Sequence, residues 1–318
     1  MKAILYATLA RAEIQAKLSA ILGPDLKVVD SDDAFAAEIT DADALFIGDM
    51  LYLDKVADAV KTRAKKLKWM QTLTAGYDNA KRLGVPAGMQ VTNIGDAIAP
   101  AVGLHAVALL LALQRQFPTF VRNQDRSAWD RSSVARMVIP LGTTAVVLGF
   151  GHIGREIGRM MRALGAHVIG VSRYPTPQPK PANEVASITQ LDALLPRADA
   201  VMIALPLDAA TDKLINARTL ALCKKTAFVV NIARGGIIDQ IALRDALTKG
   251  VIAGAGLDVT DPEPLPASDP LWSAPNLLIS PHCAGGAGRV TTERIAGAAA
   301  DNLVRFQKGE PLKNVVKL

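Results

Sequence analysis

Short apolar runs alternate with stretches of helical periodicity along the front of the chain. Lys2–Thr8 (KAILYAT), Lys27–Asp30 (KVVD), Ala44–Ile47 (ALFI), Trp69–Leu73 (WMQTL) and Gln90–Ile94 (QVTNI) predict strands, with helical patterns near Arg11–Ile21, Leu53–Ala64 and Ala80–Leu83 between them. This alternation predicts a parallel sheet with helices on both faces. A long apolar helix follows from about Ala97 to Gln116, starting near Pro100 and stopping before Pro118. From Thr143 a second series begins. TTAVVLG, HVIGV, ADAVMIAL, TAFVVNI and VIAGAGLDV are bounded by turn residues and predict buried parallel strands, and a last helix spans Gly288–Lys308. The proline-dense segment Pro175–Pro181 reads as a surface loop.

Composition sets bounds on this picture. The chain has 318 residues, room for about two domains of roughly 150 residues. Half are hydrophobic and 21% are charged, which excludes intrinsic disorder. Two cysteines, Cys223 and Cys283, cannot make a disulfide framework and predict a reducing, cytoplasmic setting. The start, MKAILYATLARAEIQ, has too short an apolar core for a signal peptide, and no run is long enough for a membrane span. The net charge of +6 suits anionic small molecules as well as nucleic acid. The basic run Lys61–Lys68 lacks interleaved aromatic residues, so it predicts a solvated helix face and no nucleic-acid partner.

One motif carries specific chemistry. Gly149-Phe150-Gly151-His152-Ile153-Gly154 matches G-x-G-x-x-G, follows the apolar run TTAVVL and opens the helical pattern HIGREIGRMMRAL. Gly149 permits the tight turn, Gly151 the close approach of a pyrophosphate, and Gly154 the packing of helix on strand. The amides of His152 and Ile153 would face the phosphates. The acidic residue expected roughly 20 positions on is missing. The next strand ends in Ser172-Arg173. Arg173 is either a plain loop residue, with NAD bound less tightly, or a partner for the 2′-phosphate of NADP.

From Thr226 the chain reads TAFVVNIARGGIIDQIALRDALTKGVIAGAGLDVTDPEPLPASDPLWSAPNLLISPHCAGG. Together with GFGHIG and the early loop LTAGYDN, this resembles the D-isomer-specific 2-hydroxyacid dehydrogenases over most of the chain. Three residues fall on the family's catalytic positions: Arg234 in NIARGG, Glu263 in DVTDPEP and His282 in SPHCAGG. The chemistry agrees. Arg234 offers a fork of donors for a carboxylate and a carbonyl oxygen. His282 supplies a proton, and Glu263 would keep its imidazole protonated and oriented. The resemblance further implies Leu205-Pro206 beside the adenosine ribose, and Ala233 and Asp258 among the cofactor's neighbours. It places Ala75 and Gly76 at the substrate carboxylate, with Met50, Leu51 and Tyr52 lining the pocket. No cation stands in Gly48–Tyr52, which argues against phosphoglycerate. No metal is implied. His105 reads as a structural residue of the long helix, and Cys283 as packing.

The implied architecture is α/β, with two doubly wound parallel-sheet domains. A Rossmann cofactor domain, residues 99–289, is inserted in a flavodoxin-like substrate domain, residues 1–98 plus 290–318, with the active site in the cleft. The implied activity is hydride transfer between NAD(P)H, NADP preferred and NAD possible, and a small 2-oxo acid such as glyoxylate or hydroxypyruvate. The implied assembly is a homodimer, with Trp129 on an arm, Phe117–Pro140, crossing to the partner. Two alternatives remain at this point. Formate and phosphite dehydrogenases share the fold, although formate enzymes carry glutamine in place of Glu263. Dinucleotide-sensing corepressors of this fold are the other, and the complete Arg–Glu–His set weighs against them.

Overall fold

In a computed structural model of the protein, which describes residues 1–175, 180–286 and 288–318, the apolar runs form parallel strands. The chain divides into two units, Met1–Ile98 with Ala287–Leu318, and Ala99–Gly286. Residues 176–179, the middle of the expected proline-dense loop, lie outside the described residues.

The first unit runs β1 (Ala3–Tyr6), α1 (Arg11–Leu22), β2 (Leu26–Val29), α2 (Asp32–Glu38), β3 (Ala44–Ile47), α3 (Asp54–Thr62), β4 (Trp69–Thr72), α4 (Asp78–Leu83) and β5 (Gln90–Thr92). Its sheet has the order β2-β1-β3-β4-β5, all parallel. Every residue of β1 and β3 is buried, because helices cover both faces, and the strands therefore read as unbroken apolar runs. On one face Ile14 and Leu18 of α1 meet Ile295, Ala299 and Leu303 of the last helix, Gly288–Lys308; Phe35, Val56 and Val60 pack on the other. Sequence periodicity missed α2. Its signal lies at its start, where the Ser31 hydroxyl accepts from the Ala34 N–H (3.3 Å) and Asp32 and Asp33 occupy the first turn.

The second unit runs α5 (Ala99–Gln114), α6 (Phe117–Asp125), β6 (Thr144–Leu148), α7 (His152–Ala163), β7 (His167–Ser172), β8 (Glu184–Ser187), α8 (Leu191–Leu194), β9 (Ala200–Ile203), α9 (Ala217–Ala221), β10 (Phe228–Asn231), α10 (Gln240–Thr248), β11 (Gly254–Leu257) and β12 (Leu277–Ile279). Its parallel sheet has the order β12-β11-β10-β9-β6-β7-β8. Counted from β6, this is the Rossmann order with one strand added, and the first unit has the flavodoxin order. Strand order reverses between β6 and β9, so the loops after these two strands flank the crevice where such sheets bind ligands. The edge strands β8 and β12 escaped the sequence reading because both are only partly buried, β8 reads Glu-Val-Ala-Ser, and the apolar run of β12 is only three residues long. The long helix does not simply stop before Pro118. Gln116 turns the chain with φ 61°, and α6 begins at Phe117 with Pro118 in its first turn, where proline's missing N–H costs little.

Candidate functional site

The glycine loop sits at the switch point. Gly149 has φ 93°, and a Cβ on it would lie 2.5 Å from the Leu205 nitrogen, so only glycine lets the β6 loop pass against Leu205-Pro206 after β9. A Cβ on Gly154 would lie 2.0 Å from the Gly149 carbonyl oxygen. At Gly151, by contrast, a Cβ would meet nothing within 4 Å. That open side adjoins the start of α7, where the first amides, those of His152 and Ile153, have no carbonyl behind them in the helix. Open space beside Gly151 and unpaired amides at a positive helix end fit a pyrophosphate. When bound there, the dinucleotide supplies a hydride at its nicotinamide.

At the far end of the same crevice Ser172 closes β7 and the Arg173 side chain is about half exposed. Arg173 is not a solitary cation. Its Nη2 donates to Asp208 Oδ2 at 2.6 Å, a contact across 35 positions that no local pattern encodes. The guanidinium holds the Asp208 carboxyl below the usual carboxylate range.

The loop after β10 carries Arg234. Asn231, fully buried, shapes it: its Nδ2 donates to the Arg234 carbonyl (2.8 Å) and its Oδ1 accepts from the Ala233 N–H (3.0 Å). Ala233 is itself buried, and its carbonyl accepts from Arg234 Nη1 (2.6 Å). Gly235 then passes so close to the next loop that a Cβ on it would lie 2.1 Å from the carbonyl carbon of Thr260. This approach brings the Arg234 turn against the DVTDPEP segment. That segment is fixed in turn. Thr260 N–H donates to Glu263 Oε1 (3.1 Å), and Gln240 brackets Asp261, accepting from its N–H (3.0 Å) and donating to its carbonyl.

Glu263 Oε2 accepts from His282 Nδ1 at 2.8 Å. A carboxylate only accepts, so the proton on this edge of the ring belongs to Nδ1, and Nε2 is left as the nitrogen that can give or take a proton. Both side chains are partly exposed, at 49% for His282 and 38% for Glu263. His282 has φ 49°, a left-handed conformation that costs of order 1–3 kcal/mol and persists only where the surroundings impose it.

Asp258 imposes it. Its carbonyl accepts from the His282 N–H (2.8 Å), and its buried carboxylate accepts from Ser280 Oγ (2.6 Å), Cys283 N–H (3.0 Å) and Ala284 N–H (2.9 Å). Motif reading places Asp258 only beside the cofactor; the structure adds the task of holding the histidine loop. His105 joins this network through Ser280 Oγ (2.8 Å) and is therefore more than a filler of α5. The ligand atoms of His105, Asp258 and Cys283 lie within 4.8 Å of one another, but the hydrogen bonds of Asp258 already account for that cluster. Cys283, expected to pack, is exposed; partial burial of its thiol and the Asp258 carboxylate push it above the ordinary cysteine range.

In the first unit the remaining candidates sit on loops at the carboxyl ends of neighbouring strands β3 and β4. Three carbonyls of the LTAG loop are tied down: Thr72 Oγ1 donates to Thr74 (3.2 Å), Asn93 Nδ2 to Ala75 (2.9 Å) and Thr74 Oγ1 to Gly76 (2.8 Å). Asp49 joins the two loops by accepting from the Asn79 and Ala80 N–H groups, both at 3.0 Å, at the start of α4. Met50 is exposed and Leu51 half-buried, open to a ligand. Tyr52 is not. It is fully buried, its hydroxyl donates to the Gly84 carbonyl (2.9 Å), and burial raises that hydroxyl to about 12. Its place in the expected pocket is corrected to the core.

These two sheets and the glycine loop define a doubly wound, dinucleotide-binding class of protein. A sequence profile described as D-isomer specific 2-hydroxyacid dehydrogenase, NAD binding domain, matches residues 107–284. The chain is 34% identical over 281 residues to a glyoxylate reductase of Thermococcus kodakarensis, covering 86% of this chain and 82% of that protein. It is 32% identical over 283 residues to a D-3-phosphoglycerate dehydrogenase of Methanocaldococcus jannaschii, covering 88% of this chain but only about half, 53%, of that longer protein. A crystal structure of a D-isomer specific 2-hydroxyacid dehydrogenase family protein from Aeromonas salmonicida superposes with a TM-score of 0.83 at 29% identity, covering 99% of each chain. The chain belongs to the D-isomer-specific 2-hydroxyacid dehydrogenases, a family of NAD(P)-dependent enzymes.

Proposed function

We propose that this protein reduces small 2-oxo acids to D-2-hydroxy acids with NAD(P)H, glyoxylate and hydroxypyruvate being the leading substrates. The observation that supports it most is the 2.8 Å Glu263–His282 pair, set beside the Arg234 turn in the same unit as the glycine loop. Arg234 takes the substrate carboxylate and leans on the carbonyl oxygen. The carbonyl carbon accepts the hydride while His282 Nε2 gives its proton to the carbonyl oxygen, and Glu263 keeps Nδ1 protonated throughout. Half-exposed His282 then regains its proton from solvent; in the reverse direction Nε2 is the base. The tethered carbonyls of the LTAG loop leave the Ala75 and Gly76 amides for a carboxylate. Gly48–Tyr52 brings no cation, so phosphorylated acids, which would be desolvated without a partner, are poor substrates.

Ser172 and Arg173 support a preference for NADPH, with NADH accepted. The second unit serves as the cofactor domain and the first as the substrate domain. Trp129, 96% exposed on the Phe117–Pro140 arm, supports a homodimer, and free Cys223 and Cys283 support a cytoplasmic setting. Among the described residues no helix is long and apolar enough to cross a membrane.

The test is turnover of NADPH with glyoxylate by the purified protein and by His282→Ala. The variant should bind cofactor normally and turn over about 10²–10⁴-fold more slowly. A wild-type protein that binds the dinucleotide and reduces no 2-oxo acid would instead match the binding-protein alternative.

A further inference from the structure

The strand-end acid that the glycine-loop fingerprint calls for is missing from β7, yet a carboxylate from the loop after another strand pairs with Arg173, which follows the end of β7. Asp208 lies in the loop after β9, two residues beyond Pro206, and its Oδ2 accepts from Arg173 Nη2 at 2.6 Å. Asp208 is the anchored member of the pair. Its Oδ1 accepts from the Ala210 N–H (2.9 Å), and its own N–H donates to Thr211 Oγ1 (2.8 Å), which lies 2.8 Å from the Pro206 carbonyl oxygen. Its side chain is 27% exposed against 53% for Arg173. Arg173, on a long flexible stem, is the member able to move.

We propose that Asp208 sets the margin between NADPH and NADH by competing with the 2′-phosphate for Arg173. The inference rests on a dinucleotide lying along the glycine loop with its adenosine ribose beside Ser172 and Arg173. When NADH binds, the Arg173–Asp208 pair stays closed. NADPH must draw Arg173 away from Asp208, and its phosphate then lies near a carboxylate. An arginine at this edge therefore gives NADPH a smaller advantage than a solitary cation would, and the chain keeps working affinity for both cofactors. An exposed ion pair and one screened like-charge repulsion together are worth about three- to tenfold in affinity.

The experiment is a fluorescence titration of the full-length protein with NADPH and with NADH, giving dissociation constants that do not depend on turnover. Asp208→Asn keeps the oxygen that caps Ala210 and removes the charge. It should tighten NADPH about three- to tenfold and leave NADH within about twofold. In an Arg173→Ala background the same substitution should lose most of its effect, because the competition has no object. Asp208→Ser, which also keeps a short acceptor for the Ala210 N–H, serves the same purpose if the asparagine variant fails to fold. An unchanged NADPH-to-NADH ratio in these variants would overturn the proposal while leaving dinucleotide binding intact. So would a gain that persists in full without Arg173, since that would be simple charge repulsion. Failure of every form to bind either cofactor would overturn the underlying reading together with this one.

Discussion

Replacing Gly235 with alanine tests whether the site is aligned by backbone contact. The new Cβ would lie 2.1 Å from the carbonyl carbon and oxygen of Thr260 and 2.6 Å from the Asp261 nitrogen. Ordinary contact begins near 3.4 Å, so the two loops must part by about 1.3 Å. Neither side yields easily. The Arg234 turn is pinned by Asn231, and Asp261 by Gln240. Forcing a methyl group into such a space costs about 1–3 kcal/mol. Arg234 adjoins the substituted residue, and Glu263 follows three residues after Thr260, so the separation passes into the distance between the arginine fork and the His282–Glu263 pair. A misplacement of about 1 Å costs on the order of 10²-fold in rate. We expect kcat/KM with glyoxylate to fall about a hundredfold and the melting temperature to fall by several degrees, with NADPH binding retained. Wild-type kinetics and melting in Gly235→Ala would refute the idea that this close approach sets the alignment.

Three further outcomes are expected. Arg234→Lys keeps the charge and loses the planar fork, so the apparent KM should rise steeply and kcat fall together; equal rates with a 2-oxo acid and its amide in the wild type would contradict the carboxylate role. Tyr52→Phe leaves the Gly84 carbonyl without its donor, so chemical denaturation should show a loss of about 1–3 kcal/mol with unchanged KM, and a shifted KM would return Tyr52 to the pocket. With the Cys283 thiol raised, and Cys223 pushed to about 11 by burial, thiolate is scarcer at pH 8 than in an ordinary cysteine and grows as pH rises. Iodoacetamide should therefore label the native protein more slowly than a free thiol at pH 8, and labelling at the free-thiol rate would count against these environments.

Strands buried on both faces were legible where they are continuous apolar runs; Ala44–Ile47 is bounded identically by pattern and by structure. What failed to show were elements whose signal is not hydrophobic periodicity. Helix α2 begins at a serine cap, and β8 reads Glu-Val-Ala-Ser at a sheet edge. The site divides in the same way. Arg234, Glu263 and His282 stand in ordered motifs, so their chemistry is visible in the sequence. Asn231 shapes the Arg234 turn from within the same motif, two and three residues away, but Gln240, Ser280 and His105 act through contacts between segments as far apart as His105 and Ser280, which no local spacing encodes. The Arg173–Asp208 pair spans 35 positions and was hidden for the same reason, as was the Tyr52 hydroxyl's partner 32 residues away.

The interrupted layout of the first unit has a consequence for synthesis on the ribosome. Ala3, Leu5, Ile14 and Leu18 share one cluster with Ile295, Ala296, Ala299 and Leu303, so one face of that sheet is closed by residues made much later than the strands they cover. At about 5–20 residues per second, the segment ending at Ile98 waits roughly 10–40 s for the helix that starts at Gly288. Residues 99–286 are contiguous and can fold as they emerge, whereas residues 1–98 must carry a bare apolar face through that interval. The nascent chain is thus most exposed to chaperones and to aggregation at residues 1–98, which are made well before the helix that covers them.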